Sequence, residues 1–200
     1  MPSTTRTFIA LPVPSAQDAN LTRLQELLSP QVPGVRWAST FPFHATLAFL
    51  GDVHDTDLNA VCKAVEEAAR PFPPLELRLE AVGAFPSPAR PRVIWAGLKA
   101  GQPEVLEALH KTVFQAATVA GYRPDDRFTP HVTLGRLKYD RRDRKAPGLT
   151  GVLESFKSWS GGAFTAREVV TFSSSLTPDG PIYFPLARAP LSGKKTGVSP

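Results

Sequence analysis

Pro42-Phe43-His44-Ala45-Thr46-Leu47 and Thr129-Pro130-His131-Val132-Thr133-Leu134 are two copies of one phrase. Each reads His-x-Thr-Leu, each has a proline shortly before the histidine, and each lies in a strand-like run. The chain has four histidines, and two of them fall in the repeat. Side chains along a strand alternate between faces, so a histidine and a threonine two apart point the same way. The intervening and following residues, Ala45 and Leu47 in one copy and Val132 and Leu134 in the other, then point into a core. Each copy sets an imidazole beside a hydroxyl on one face. The repetition suggests pseudo-symmetry, with two such strands facing one cleft.

Around the two phrases the apolar pattern predicts strands and helices in mixed order. Strands are expected at 7–13, 35–38, 43–50 (closed by Gly51-Asp52), 75–82, 92–98, 131–137, 164–172 and 182–186. Helices are expected at 16–28, 57–70 and 104–120. Leu21, Leu24, Leu27 and Leu28 form one face of the first, with Ser15 as N-cap. Leu58, Val61, Val65 and Ala68 line the second. Leu106, Leu109, Val113 and Ala117 line the third, with Gly121 as C-cap. No strict βαβ repeat and no Gly-rich phosphate loop is present. The expected class is α+β with two mainly antiparallel sheets flanking a cleft and helices outside.

Composition fits a globular chain: 42% hydrophobic and 20% charged over 200 residues. Such a length buries a sizeable core without staples. One bilobal domain over 1–190 and a mobile polar tail over 191–200 are expected. The 21 prolines, about twice the usual ~5%, cluster at 71–74, 86–91 and 185–190 and read as rigid loops. The single cysteine, Cys62, excludes an intrachain disulfide and a multi-cysteine zinc site. No run approaches a membrane span, and Met1 to Thr7 lacks a signal peptide's apolar stretch. The expected location is the cytoplasm, without membrane association, and a monomer is the default. A net charge of +5 favours an anionic partner such as RNA or a phosphorylated substrate.

Two imidazoles and two hydroxyls suit phosphodiester chemistry. A neutral imidazole takes a proton from water while an imidazolium gives one to the leaving oxygen. The threonine hydroxyls donate to non-bridging phosphate oxygens. A metal reading is weak, because neither histidine has a carboxylate or cysteine at ligand spacing. His54, in a loop, and His110, in a helix, read as structural or solvent-facing.

The two His-x-Thr-x phrases resemble the defining motif of the 2H phosphoesterases. The rest of the chain resembles one group of them, the RNA 2′,3′-cyclic phosphodiesterases or 2′-5′ RNA ligases. Phe8-Ile9-Ala10-Leu11-Pro12, Arg36-Trp37, 83–88 with 91–97, and 176–183 are similar to its blocks in the same order. The resemblance implies a bilobal fold with one motif strand per lobe. It implies hydrolysis of a terminal 2′,3′-cyclic phosphate of RNA to a 2′-phosphate without metal or nucleotide cofactor, and a reverse reaction making 2′-5′ bonds. By that likeness His44 donates a proton to O3′, His131 activates water, and Thr46 and Thr133 hold the phosphate. The symmetry of the motifs leaves the two histidine roles open from the residues alone.

Further candidates lie nearby. Strand parity puts Arg136 opposite His131 and Thr133, and a bulge at Gly135 reverses that. Phe128 and Trp37 are candidates to stack on a base. Lys138, Arg141, Arg142, Arg144 and Lys145 form a basic run suited to capturing an RNA backbone, diluted by Asp140 and Asp143. A non-catalytic receptor for RNA ends, and a smaller cyclic nucleotide or 2′-5′ oligonucleotide as substrate, are the alternatives.

Overall fold

Two antiparallel sheets, each carrying one copy of the repeated phrase, organise the chain in its computed structural model, which describes residues 3–39, 42–137, 149–178 and 180–194. The elements are β1 (Thr4–Pro12), α1 (Asp18–Leu28), β2 (Val35–Trp37), β3 (His44–His54), α2 (Leu58–Ala69), β4 (Leu75–Phe85) and β5 (Val93–Ala100). They continue with α3 (Pro103–Val119), β6 (His131–Leu137), α4 (Thr150–Ser155), β7 (Ser160–Ala166), β8 (Glu168–Thr177) and β9 (Gly180–Pro190). One sheet has the order β3-β1-β8-β9 and the other β2-β6-β5-β4-β7. The α+β class read from the sequence is the class observed.

Helix periodicity places the core. Leu21, Leu24 and Leu28 of α1 are buried, as are Val61 and Val65 of α2 and Leu106, Leu109, Val113 and Ala117 of α3. Helix α2 packs on β8 and β9, α3 packs on β3 and β5, and α1 meets β7. In β1, Ile9 and Leu11 join this large core, while Phe8 and Ala10 form a second small cluster with Val170 and Phe172. An inner strand buried on both faces reads as a continuous apolar run, which is what Phe8 to Leu11 is.

Several sequence expectations are corrected. Leu27 is 48% exposed, and Gln25 takes an inward slot at 8%. Ser15 opens a 3-10 turn, and α1 begins after it without a side-chain cap. Strand β3 does not stop at Gly51-Asp52 but runs on to His54, bulging at Leu50 so that Thr7 pairs Gly51 and Phe8 pairs Phe49. The run 164–172 is two strands, β7 and β8, which change sheet at Arg167. The prolines of 185–190 lie in β9 rather than a loop; β9 is an edge strand, where a missing N–H is tolerated. Helix α4 has no counterpart among the helices expected from periodicity.

The tail is also docked further than expected. Leu191 is buried, its N–H donates to Arg167 O at 2.8 Å, and Gly193 N–H donates to Phe72 O at 2.9 Å. A Cβ on Gly193 would stand 1.8 Å from Pro71 O, so only glycine fits this approach. Residues 195–200 lie outside the described residues.

A second close approach lies beside the cleft. Gly83 pairs with Trp95, and a Cβ on Gly83 would meet the indole at 2.2 Å. Gly83→Ala therefore overpacks this site and should lower stability by about 1–3 kcal/mol. Urea unfolding followed by tryptophan fluorescence checks this; an unchanged midpoint would show that the indole does not rest on Gly83.

Candidate active site

The two motif strands share more than four residues. His44 to Leu50 and His131 to Leu137 have the same sequence of half-buried, buried and exposed positions. Both strands skip one residue at the motif leucine. In β3, Ala48 pairs Ile9 and Thr46 pairs Ala10, leaving Leu47 extra. In β6, Gly135 pairs Ile94 and Thr133 pairs Trp95, leaving Leu134 extra. A bulge of this kind resets strand parity. The sixth residue of each copy, Phe49 or Arg136, therefore returns to the face of the histidine and threonine. Of the two orientations open to Arg136 in the sequence, the structure has the cleft-facing one.

His44, Thr46, Thr133 and Arg136 line one cavity, with Arg36, Trp37 and Tyr183 among the surrounding residues. His131 stands beside it, close enough for its charge to act on His44. Across this end of the cleft, Arg36 Nη2 donates to Pro178 O at 2.7 Å, tying β2 of one sheet to the β8–β9 turn of the other.

Both imidazoles are mounted alike. His44 Nδ1 bonds Pro42 O at 3.0 Å, and His131 Nδ1 bonds Thr129 O at 2.6 Å. A carbonyl oxygen only accepts, so each Nδ1 carries the hydrogen. Nε2 is left as the nitrogen available to a substrate. Aromatic rings support each imidazole. His44 lies 4.9 Å from the Phe8 ring and 5.0 Å, edge to face, from Tyr183. His131 meets the Phe85 ring edge to face at 4.9 Å, and Trp95 lies 6.1 Å away.

Electrostatics pull both histidines the same way. Burial pushes His44 below the ordinary imidazole range, the bond to Pro42 opposes this, and the charges of His131 and Arg136 lower it further. His131 is lowered by burial first and by Arg136, against the bond to Thr129. Tyr183 is raised by burial, while Arg136 and Arg6 act to lower it. The arrangement holds two oriented imidazoles whose charged form burial disfavours, two hydroxyls and one guanidinium around a space. It is poised for an anion, because a bound anion favours the charged imidazole that burial disfavours.

The other candidates are placed as follows. Trp37 lines the cavity. Phe128 does not reach it: its ring stacks on His110 at 4.2 Å and 12°. His110 is buried, with Nδ1 on Leu47 O at 2.9 Å, as its structural reading expects. His54 ends β3 and is exposed. The basic run Lys138, Arg141, Arg142, Arg144 and Lys145 lies outside the described residues. Sequence reasoning does not single out Phe8, Phe85, Trp95 and Tyr183 as site residues; Phe8 and Trp95 lie on the strands next to the motif strands, while Phe85 and Tyr183 come from strands further across each sheet. Among the described residues, no three His, Cys, Asp or Glu side chains are grouped as metal ligands would be. No helix among them is long and apolar enough to cross a membrane.

Known proteins share this plan. An RNA 2′,3′-cyclic phosphodiesterase of Archaeoglobus fulgidus is 34% identical over 89% of this chain and 96% of its own. One of Methanothermobacter thermautotrophicus is 31% identical over 89% and 94%. A solved Thermus thermophilus protein superposes with a TM-score of 0.69 at 27% identity, covering 94% of this chain and 99% of that one. Escherichia coli LigT, solved with 3′-AMP, shares the fold with a TM-score of 0.73 at 23% identity over 95% and 99%. The LigT-like phosphoesterase model matches twice, at 11–95 and 97–183, with one histidine motif in each match. The duplicated bulged strands are thus the two halves of a known domain, and the chain belongs to the LigT-like phosphoesterase family.

Proposed function

We propose that the chain hydrolyses the terminal 2′,3′-cyclic phosphate of RNA to a 2′-phosphate by acid–base catalysis between His44 and His131. The observation that carries this is the matched mounting: two imidazoles, each tethered at Nδ1, each beside a threonine hydroxyl, on strands that face each other. The names of the relatives support the substrate. His131 Nε2 takes a proton from water as its oxygen attacks phosphorus. The P–O3′ bond breaks, and His44 Nε2–H delivers its proton to O3′. A 2′-phosphate and a free 3′-hydroxyl result. The acid and base roles follow the family resemblance. Thr46 and Thr133 donate to the non-bridging oxygens, and Arg136 offsets their charge. No metal enters this chemistry. With a 5′-hydroxyl in place of water, the same proton transfers form a bond from that oxygen to phosphorus, break P–O3′ and leave a 2′-5′ bond.

The test is an end-group assay in EDTA with a short RNA ending in 2′,3′-cyclic phosphate. The expected product carries a 2′-phosphate. His44→Ala and His131→Ala should each lower kcat roughly 10²–10⁴-fold, and Thr46→Ala and Thr133→Ala roughly 10²–10³-fold. Full activity of either histidine variant, or a requirement for metal, overturns the reading.

The pH profile follows from the histidine environment. Both groups titrate below the ordinary imidazole value in the free protein, so kcat/KM should be bell-shaped with its maximum on the acid side of about 6.5. A bound phosphodiester favours imidazolium, so the kcat profile should lie at higher pH. Arg136→Met removes a cation that disfavours imidazolium and should move both limbs of kcat/KM upward. Limbs that stay in place, or move down, would show that Arg136 does not act on the pair.

A further inference from the structure

Among the described residues only four polar side chains are buried: Thr7, Gln25, His110 and Thr171. Two of them do the same thing in different halves of the molecule. His110, on α3 and 5% exposed, donates from Nδ1 to Leu47 O at 2.9 Å. Gln25, on α1 and 8% exposed, donates from Nε2 to Leu134 O at 2.8 Å. Leu47 and Leu134 are the leucines of the two His-x-Thr-Leu phrases, and each is the extra residue at its strand's bulge.

A bulge takes its residue out of the regular ladder. The carbonyl there needs a partner from elsewhere, because a buried unpaired carbonyl is costly. Each sheet turns one helix side chain inward onto that carbonyl, His110 onto Leu47 O and Gln25 onto Leu134 O, the latter beside the Ala38 N–H that also donates there. The leucine carbonyl follows the phosphate-facing threonine directly and precedes the residue whose side chain the bulge returns to the cleft. Fixing it fixes where Thr46 and Phe49 point in one half, and where Thr133 and Arg136 point in the other.

Each clasp also reaches a second segment. Gln25 Nε2 donates to Ala38 O at 2.9 Å, and Ala38 N–H itself donates to Leu134 O at 2.7 Å, which locks the exit of β2 onto β6. The imidazole of His110 stacks on Phe128, next to Thr129, whose carbonyl holds His131 Nδ1. His110 therefore touches both halves: the carbonyl after Thr46, and the ring beside the group that orients His131.

We propose that Gln25 and His110 are a matched pair of positioning residues, each holding the bulge of one motif strand so that its histidine and threonine, with Arg136 in the second strand, present together to the phosphate. Neither touches the reacting atoms. The rate measurements below rest on the phosphodiesterase reading; the spectroscopic ones do not.

The experiment uses the full chain with His110→Phe and Gln25→Met, which keep bulk and remove the donor, and His110→Asn, which keeps a donor at the Nδ1 position. Thermal melting establishes that each variant is folded at the assay temperature. A misplacement of reacting groups by an ångström costs up to about 10²-fold in rate. His110→Phe and Gln25→Met should therefore each lower kcat about 10–100-fold with KM within about threefold, and His110→Asn should recover most of the loss. Independently, the ring carbon resonances and titrations of His44 and His131 are followed by NMR. His110→Phe keeps the stacking on Phe128, so it should move His44 and leave His131, and Gln25→Met should do the reverse. Folded variants with kcat within twofold of wild type and both histidines unmoved overturn the proposal. So does a loss of stability with both histidines unmoved, which marks the two side chains as scaffold only. A wild-type chain that does not open the cyclic phosphate overturns the functional reading instead, and the crosswise NMR pattern then decides this one.

Discussion

The bond from each histidine Nδ1 to a carbonyl two residues earlier is the constraint on which the cleft depends. It settles the tautomer, and with it which nitrogen meets a substrate. It also holds the ring against χ1 and χ2 rotation, so that the flanking aromatics meet one orientation. Phe8 and Tyr183 on one side and Phe85 and Trp95 on the other then do two things at once. They exclude water from the rings, and by doing so they disfavour the charged form of both imidazoles. A site built for a phosphodiester is in this sense incomplete without its charge.

The two halves are copies in backbone and unlike in chemistry. The bulge brings Arg136 into the cavity in one, whereas in the other it returns Phe49 to the face of His44 without placing it in the cavity lining. On the Phe49 side the cation comes from a different strand: Arg6 lies over the Phe49 ring at 4.7 Å. One half thus offers a guanidinium directly to the pocket, and the other carries at the same position an aromatic ring with a guanidinium over it. A cation over a ring is attracted by the ring's quadrupole, which holds Arg6 in place without a carboxylate. This asymmetry is where a repeated phrase can acquire two different tasks.

Much of this plan is legible in the sequence, for physical reasons. The phrase occurs twice and both strands are period-two up to the threonine, so repetition picks out His44, Thr46, His131 and Thr133 and parity puts each pair on one face. Parity fails one residue later, at Leu47 and Leu134, because a bulge leaves no mark in the pattern of apolar residues. That is why the sequence leaves Arg136 two possible faces. Gln25 escapes notice because a glutamine at an inward helical position looks like a polar break in the stripe, and Leu27 beside it looks like the core residue. Phe128 is drawn toward a base by its closeness to His131, yet its ring meets a buried histidine from α3 first. The docking of Leu191 to Gly193 depends on long-range backbone bonds that no local composition signals.

The order of strands carries a consequence for how the chain comes off the ribosome. The sheet bearing the first motif is completed by β8 and β9, the last strands among the described residues, whereas β2 leaves the first half to edge the other sheet. The second motif strand lies between β5 and β2, both already synthesised when it emerges. Its ladder can therefore close while β1, the neighbour of the first motif strand, still lacks β8 on its other side. Non-local pairings of this kind are late events in folding. The floor under His44, made by Phe172 and Tyr183, is laid last, so a nascent chain holds both histidines well before it holds an enzyme. Before β8 and β9 emerge, only half of the cleft exists.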